Sequence, residues 1–401
     1  MLDKLETIVL FIFVFCLITI SHEYGHYIIA RINGIRVQEF TIGVGPKLLG
    51  FKKHGTEFCL RLLPFGGACI YDLDEEKLPD DLDRSSKELA SIARGSRVRN
   101  EQSDEIVEAD AAATYDRDKD AADDGFLREE AGVPFNEAKV GARIATVLAG
   151  PVCNFILAYI LAVIVVWFTG SSKPVVTGIM EGYPAEKAGI QAGDLITSMN
   201  GSHICLSSEI PLNTYINGSA DMTITYVRDG EKHEVTVTPE YYPEEDRYLV
   251  GFNGYGEYVY CNNANCFKYA LYEVRYGFVG TLKSLLMLIK GEGSKDDIGG
   301  PVAMAQVVDE VKDAASPYGF GLVMLNMFNI AMLLSVNLGI INLLPLPAID
   351  GGRLMFFIVE AIRGKAVAPE KEGIVHLIGF LLLIILMVFV TYNDVVRLIT
   401  G

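Results

Sequence analysis

The chain has 401 residues, 50% of them hydrophobic, and a mean hydropathy of +0.29. This composition excludes an ordinary soluble protein and leaves room for a membrane core plus one small soluble domain. The formal net charge is −17, and so acidic a chain is not expected to bind nucleic acid.

The apolar residues are concentrated in stretches that lack Asp, Glu, Lys and Arg. A helix crosses the hydrocarbon layer of a membrane with about 20 residues. Three stretches are long enough, whereas the first has only 16 residues. It could be a signal peptide, but its start has no net positive charge and no small-residue cleavage site follows, so a retained span is predicted. The four stretches are residues 7–22, 144–172, 314–349 and 373–393.

The first span ends in His22-Glu23-Tyr-Gly-His26, which matches the H-E-x-x-H metal-binding pattern. On a helix the two histidines share a face, and Glu23 lies at the adjoining edge, where it can accept a proton from water. Zinc suits this chemistry because it lowers the pKa of water and polarises a carbonyl group. Ionisable residues beside a span are costly and tend to be functional, which favours a zinc site over a polar helix end.

The next segment, 33–71, is rich in glycine and in β-branched and aromatic residues. The runs 36–42 and 57–63 alternate loosely and predict hairpin strands at the membrane surface, although a small soluble sheet is an alternative. Six Lys or Arg residues lie between Arg31 and Arg61. Basic residues near span ends favour the cytoplasmic side, so this segment is predicted to be cytoplasmic.

Residues 72–137 carry 21 acidic and 9 basic residues, which is typical of a solvated, partly disordered insertion. After the second span, residues 173–240 are soluble in composition and are expected on the extracytoplasmic side. Three strands and one short helix are predicted there, and Asp229-Gly230 is a hairpin turn signal. The strands cover residues 175–180, 222–227 and 233–238, and the helix covers 185–188.

The segment 262–290 combines charged residues with a hydrophobic stripe, which favours an interfacial helix over a fifth crossing. The third and fourth spans are predicted to be separated by a polar hairpin, 353–372. Cys261 and Cys266 could form a disulfide if their side of the membrane is oxidising. His54, His203, His233 and His376 have no partner at ligand spacing and are predicted to be surface or packing residues.

A catalytic zinc site normally has three protein ligands, and Asp350 is the candidate for the third. If the segment between spans two and three adds no further crossing, spans one and three run in the same direction and their C-terminal ends lie on one side of the membrane. Pro345 and Pro347 cannot continue a helix, and non-helical backbone survives at membrane depth only beside protein or a wet cavity. The sequence therefore predicts that Asp350 joins the two histidines, although a local helix cap is an alternative.

These motifs together resemble the site-2 protease family of intramembrane zinc metalloproteases, especially the bacterial sigma-factor-regulating branch. The resemblance covers nearly the whole chain. It rests on HEYGH at 22–26, GIRVQEFTIGVGP and LRLLPFGG within 34–67, AGPVCN at 149–154, GGPVAMA at 299–305 and SVNLGIINLLPLPAIDGGRL at 335–354.

The resemblance implies that His22, His26 and Asp350 bind one catalytic Zn²⁺ and that Glu23 is the catalytic base. It implies that Asn337 and Asn342 hold the substrate strand near the metal. The β-hairpin would receive an unwound substrate helix.

The stretch YPAEKAGIQAGDLI at 183–196 is similar to a PDZ domain, which would bind a substrate tail or act as a size filter, with a spacer as the alternative. Arg353 departs from the histidine that related sequences often carry, and the 72–137 insertion is longer and more acidic than expected.

The predicted fold is a polytopic α-helical membrane protein with about four transmembrane helices, a membrane-associated β-hairpin region and one soluble α+β PDZ domain. The predicted segments are span one (1–32), the β region (33–71), the cytoplasmic insertion (72–137), span two (138–172), the PDZ domain (173–240), a linker with an interfacial helix (241–312), span three (313–354) and span four with the C-terminus (355–401).

The expected function is cleavage of transmembrane segments in single-span proteins of the bacterial cytoplasmic membrane. Plausible substrates are clipped anti-sigma factors and remnant signal peptides, and the lipid bilayer is the other partner. Two rivals belong to other classes. A membrane PDZ adaptor with a structural metal site would not need Glu23, and a metal transporter commonly shows internal repeats, which are not evident here.

Overall fold

The computed structural model describes residues 2–72, 132–244, 247–261, 264–291 and 299–400. Almost all of the predicted acidic insertion, residues 73–131, lies outside the described residues. The helices are α1 (Leu2–Ile32), α2 (Val140–Thr169), α3 (Pro184–Lys187), α4 (Glu209–Asn217), α5 (Asn265–Lys290), α6 (Pro301–Ala315), α7 (Phe320–Leu343), α8 (Asp350–Arg363) and α9 (Pro369–Thr400). The strands are β1 (Val37–Lys53), β2 (Thr56–Tyr71), β3 (Ser171–Ile179), β4 (Leu195–Met199), β5 (Ser202–His203), β6 (Met222–Arg228), β7 (Glu231–Val237), β8 (Glu240–Tyr242), β9 (Arg247–Leu249) and β10 (Phe252–Val259).

Within the described residues, four helices are long and apolar enough to cross a membrane: α1, α2, α7 and α9. The first three share a core that includes Val14, Ala158 and Met327, all fully buried. Gly25 of α1 lets α2 approach closely, because a Cβ there would lie 2.8 Å from the Cys153 sulfur. Helix α9 differs, since only 11% of its most apolar window is buried inside the protein. The exposed side chains of such helices suit contact with lipid.

Strands β1 and β2 form an antiparallel hairpin that is longer than the predicted runs. His54 and Gly55 connect them with φ values of 50° and 78°, as a two-residue type I′ turn requires. Both strands bend, so residues 39–42 pair with 57–60 on one side and with 67–70 on the other. Segment 67–70 is consequently an edge of this small sheet.

The soluble domain contains a sheet with strand order β10-β3-β4-β6-β7, in which β5 pairs with β4. The Asp229-Gly230 turn has φ values of 51° and 84°, as the sequence predicts. The domain extends beyond residue 240, because β10 pairs with β3 from Phe252 opposite Ile179 to Val259 opposite Ser171. Strand β10 lies in a segment that was predicted to be a linker, because Gly254 and Gly256 weaken its strand pattern and its partner strand is distant in sequence.

Helix α5 lies between the membrane helices and the soluble domain. Its buried Ala270 and Gly277 are on the side that packs against α2 and α7. Arg275 makes a 3.0 Å ion pair with Glu209 of the soluble domain, and Lys283 donates a 2.6 Å hydrogen bond to Asn213. Cys261 and Cys266 are both buried in one small cluster close to this junction.

The region that follows α7 differs from its prediction in one respect. The helix ends at Leu343, as Pro345 and Pro347 require, and the chain re-enters a helix at Asp350. Most of the predicted polar hairpin, 353–372, is therefore the amphipathic helix α8. Arg353 and Glu360 interrupt the apolar pattern in sequence, but they are two turns apart and share a face of this helix, which packs on α2.

Candidate metal centre

Three predicted ligands come together at the ends of α1 and α8. His22 and His26 are one helical turn apart and buried, with 7% and 6% of their surface exposed. The carboxylate Oδ2 of Asp350 lies 3.0 Å from Nε2 of His22 and 3.2 Å from Nε2 of His26. The two Nε2 atoms are themselves 3.2 Å apart. The three atoms form a nearly equilateral triangle.

The hydrogen bonds made by the Nδ1 atoms of His22 and His26 determine whether their Nε2 atoms can bind a cation. Nδ1 of His26 lies 2.9 Å from the carbonyl oxygen of Thr146. Because a carbonyl oxygen only accepts, Nδ1 carries the proton, and Nε2 of a neutral ring presents a lone pair. The side-chain amide of Asn154 lies 3.2 Å from Nδ1 of His22, and among the described residues its oxygen has no hydrogen-bond partner. Since amide orientations are assigned from such networks, turning the Asn154 oxygen toward a protonated Nδ1 satisfies both groups.

Three electron-pair donors then converge on one buried point. Oδ2 of Asp350 is buried and has no hydrogen-bond partner in the described structure. Lone pairs that face each other repel unless a cation lies between them. Tetrahedral zinc, with bonds of about 2.0–2.1 Å to nitrogen and oxygen, separates its ligand atoms by about 3.3 Å. The observed triangle is close to this spacing, so the donor set fits zinc.

The local sequence explains how Asp350 reaches this point. After α7 ends, Ala348 adopts a positive φ of 74°, which turns the chain into α8. Gly351 and Gly352 begin that helix directly against the preceding loop. A Cβ on Gly351 would lie 2.7 Å from the carbonyl carbon of Leu344. The Asp-Gly-Gly sequence therefore combines a ligand with two positions that admit no side chain.

Helix α2 supports the two histidines from behind. A Cβ on Gly150 would lie 2.8 Å from Cε1 of His22 and would also contact the His26 ring. Thr146 and Asn154 are four residues before and after this glycine, on the same face of the helix. The contact between the Asn154 amide and Nδ1 of His22 was not predicted from the sequence. An amide within an otherwise apolar span, one turn after the glycine of AGPVCN, was the available signal.

Replacing Asn154 should change zinc affinity without removing a ligand. Asn154→Leu cannot accept from Nδ1 of His22, and loss of such a partner typically weakens metal binding about 10–100-fold. Asn154→Asp restores an acceptor and should retain most of the affinity. Competition with a zinc chelator measures the affinities, and Val152→Leu, on the exposed side of α2, is the matched control. Wild-type affinity in Asn154→Leu would contradict the arrangement.

Glu23 lies beside the triangle and lines a cavity of about 670 Å³. Gly67 of β2 passes directly over it, since a Cβ there would be 3.0 Å from Cγ of Glu23. The backbone of Cys69 also faces the Glu23 carboxylate. The edge segment 67–70 thus forms a wall of the cavity, and Asp350 also lines the cavity.

Two other polar side chains of this wall are held in their protonated forms. Burial, with a smaller effect of Glu23, raises the pKa of the Cys69 thiol to about 12. Burial also raises the pKa of the Tyr71 hydroxyl. Cys69 is not among the donor residues that converge here, which in the described part of the chain are His22, His26 and Asp350.

The two predicted substrate-holding residues are not part of this cavity. Asn337 accepts a hydrogen bond from the Thr281 hydroxyl of α5, because α5 packs across α7 at that point. Asn342 is half-buried in the last turn of α7, and neither residue lines the cavity. Their roles in substrate binding stay predictions.

The fold and this site define a membrane-embedded, metal-dependent hydrolase. The model of Peptidase family M50 matches residues 10–386, and the chain belongs to this family. It is 32% identical to "Regulator of sigma-W protease RasP" of Bacillus subtilis (strain 168), over 98% of this chain and 99% of the relative. It is also 32% identical to "Zinc metalloprotease RasP" of Geobacillus kaustophilus (strain HTA426) and to "Probable protease eep" of Enterococcus faecalis (strain ATCC 700802 / V583), each over 98% of this chain and 99% of the relative.

These findings confirm the predicted family, the zinc dependence and the protease activity within a membrane. The chain is a bacterial membrane protein and a zinc metalloprotease of regulated intramembrane proteolysis. Four candidate spans and separate β-sheet regions agree with the predicted architecture.

Proposed function

We propose that His22, His26 and Asp350 hold the zinc ion and that Glu23 is the general base for cleavage of a transmembrane segment. The convergence of three unprotonated donor atoms beside Glu23 is the observation that carries this proposal. An intact base argues against a structural metal site in a silent adaptor, because a structural site does not use one.

A bound zinc ion supplies a Lewis acid that lowers the pKa of water to about 7 and polarises a peptide carbonyl. Glu23 accepts the proton of the attacking water and then gives it to the nitrogen of the leaving amine. The histidines keep their orientation during this exchange, because Thr146 and Asn154 hold their outer nitrogens.

The substrate is expected to enter as an extended strand. A peptide bond inside a helix is shielded by its own hydrogen bonds, so the helix must unwind before attack. Segment 67–70 pairs with 39–42 on one side, and within the described residues no strand pairs with its other side. Addition of a substrate strand at this edge would bring a peptide carbonyl between Glu23 and Asp350.

The hairpin is proposed to lie on the cytoplasmic side and the soluble domain on the extracytoplasmic side of a bacterial cytoplasmic membrane. Lys47, Lys52 and Lys53 near the hairpin turn support this orientation. The soluble domain begins at the far end of α2, across the membrane from the hairpin.

The soluble domain is proposed to be a PDZ domain that takes a substrate tail, with a size filter as the alternative. A cavity of about 770 Å³ lies between α4 and strands β9 and β10. Its lining includes Ile210, Tyr215, Leu249 and Phe252, which suits an apolar peptide end. By analogy with the sigma-W regulator name of one relative, a trimmed anti-sigma factor is a plausible substrate, and a remnant signal peptide is another.

Metal removal tests the proposed function. Purified protein in detergent or vesicles is incubated with single-span candidate substrates, with and without a zinc chelator. Cleavage should fall to background with the chelator and return when zinc is added back, as followed by gel and by mass spectrometry of the fragments. Cleavage that persists in zinc-free protein would overturn the proposed chemistry. Substrate binding without any cleavage would favour the adaptor.

A further inference from the structure

The loop between α7 and α8 ends directly before Asp350, and its conformation is unusual. Ala348, two residues before Asp350, has a φ of 74°, a region that residues with a side chain rarely adopt. Such a conformation persists only when surrounding groups fix it. The contacts of the Ala348 backbone therefore bear directly on where the carboxylate points.

Helix α9 supplies the contact. Nδ1 of His376 accepts a 2.9 Å hydrogen bond from the backbone N–H of Ala348. One turn later, Gly379 lies against the same loop, and a Cβ there would be 2.8 Å from the carbonyl carbon of Pro347. Most of α9 is exposed, so this close approach stands out along the helix.

The hydrogen bond also defines the state of the ring. A backbone N–H only donates, so Nδ1 of His376 is unprotonated and Nε2 carries the proton of the neutral ring. The carboxylate of Glu372, one turn earlier on α9, lies 3.9 Å from Nε2. This neighbour favours the tautomer that leaves Nδ1 free to accept.

We propose that His376 is a positioning residue for the metal centre, which acts by fixing Ala348 and so aiming Asp350 at His22 and His26. His376 was predicted to be a surface or packing residue, because its partner is a backbone group 28 residues away in the chain. Helix α9 becomes part of the zinc site although it provides no ligand. This inference rests on the proposed role of Asp350 as a ligand.

Three substitutions separate the hydrogen bond from packing. In His376→Asn the side-chain oxygen can occupy the place of Nδ1, whereas in His376→Gln the amide reaches the place of Nε2. His376→Ala removes both. Ile374→Ala, at an exposed position of the same helix, controls for truncation on α9.

The primary measurement is zinc affinity of the full-length protein by competition with a chelator, with cleavage rate as a second measurement. His376→Ala and His376→Gln should bind zinc at least tenfold more weakly, as expected for a lost supporting contact. The zinc affinities of His376→Asn and Ile374→Ala should remain within about threefold of wild type, a smaller change than the tenfold weakening expected for the other two variants. Thermal unfolding of the zinc-free proteins identifies any variant that fails to fold.

Asp350→Ala, measured in parallel, distinguishes a failure of the proposed metal centre from a failure of the positioning role of His376. If Asp350→Ala retains zinc, the proposed metal centre itself is wrong. If Asp350→Ala loses zinc but His376→Gln binds it as tightly as His376→Asn, the positioning role is overturned and the metal centre stands. The Asn and Gln variants carry the same functional group, so this comparison holds even if His376→Ala does not fold.

Discussion

Replacing Glu23 with glutamine is expected to abolish cleavage while zinc stays bound. Glutamine has the size and shape of glutamate but cannot take a proton from water. General acid–base catalysis contributes about 10²–10⁴-fold to rate, so cleavage should fall by at least that much. Because Glu23 is not one of the three converging donor residues, zinc affinity should change little.

The experiment needs a substrate cleavage assay and a metal analysis on the same protein sample. Tyr24→Phe is a matched control, since Tyr24 is the next residue on α1 and is 52% exposed. A Glu23→Gln protein that cleaves at a rate within tenfold of wild type would exclude Glu23 as the base. A loss of both zinc and cleavage would instead indicate that Glu23 supports the metal site.

Replacing Asp350 with alanine is expected to remove zinc, and cleavage with it. Two imidazoles remain, and they hold the ion without the anionic ligand that neutralises part of its charge. Loss of a supporting residue alone weakens metal binding about 10–100-fold, so loss of a ligand should cost more than 100-fold. The zinc affinity of Asp350→Asn should lie between that of Asp350→Ala and that of wild type, because an amide oxygen is a weaker electron-pair donor than a carboxylate oxygen.

Zinc content after gel filtration and affinity by chelator competition are the measurements. Met355→Leu, on the exposed side of α8, is the control for changes to this helix. Zinc bound at wild-type affinity in Asp350→Ala would show that a different residue is the third ligand. In that case the short distances to His22 and His26 would reflect a hydrogen-bonded charge pair rather than a metal site.

The two variants together also separate the rival functions. An adaptor with a structural metal should lose its metal in Asp350→Ala but should not be affected by Glu23→Gln. A transporter should move metal ions in the Glu23→Gln protein almost as well as in wild type. A protease should lose cleavage in both, with zinc retained in only one.

Several features of the fold could be predicted because their cause is local. The H-E-x-x-H spacing places His22 and His26 on one helix face, and Pro345 with Pro347 ends α7 before Asp350. The Asp229-Gly230 turn and the four candidate spans follow from patterns only a few to about thirty residues long. In each case the physical constraint acts between neighbours in the chain.

Other features depended on packing between distant segments. The sequence analysis did not place β10 in the sheet with β3, and it did not recognise that Asn154 holds His22. The hydrogen bond that Asn337 accepts from the Thr281 hydroxyl of α5 was not predicted either, and its role in substrate binding stays a prediction. These contacts join residues that are tens to hundreds of positions apart, so no local pattern encodes them.

Sequence patterns alone predict the membrane class, the pair of histidines, the adjacent glutamate and a carboxylate able to complete a zinc site. Hydropathy, helical spacing, the direction of the spans and proline chemistry are the basis of those predictions. The packing of the helices was needed to show that Asp350 lies within 3.2 Å of both imidazoles, that α2 contacts their Nδ1 atoms and that His376 of α9 contacts the loop before Asp350. These distances depend on how separate helices pack, and close packing is a property of the whole assembled core.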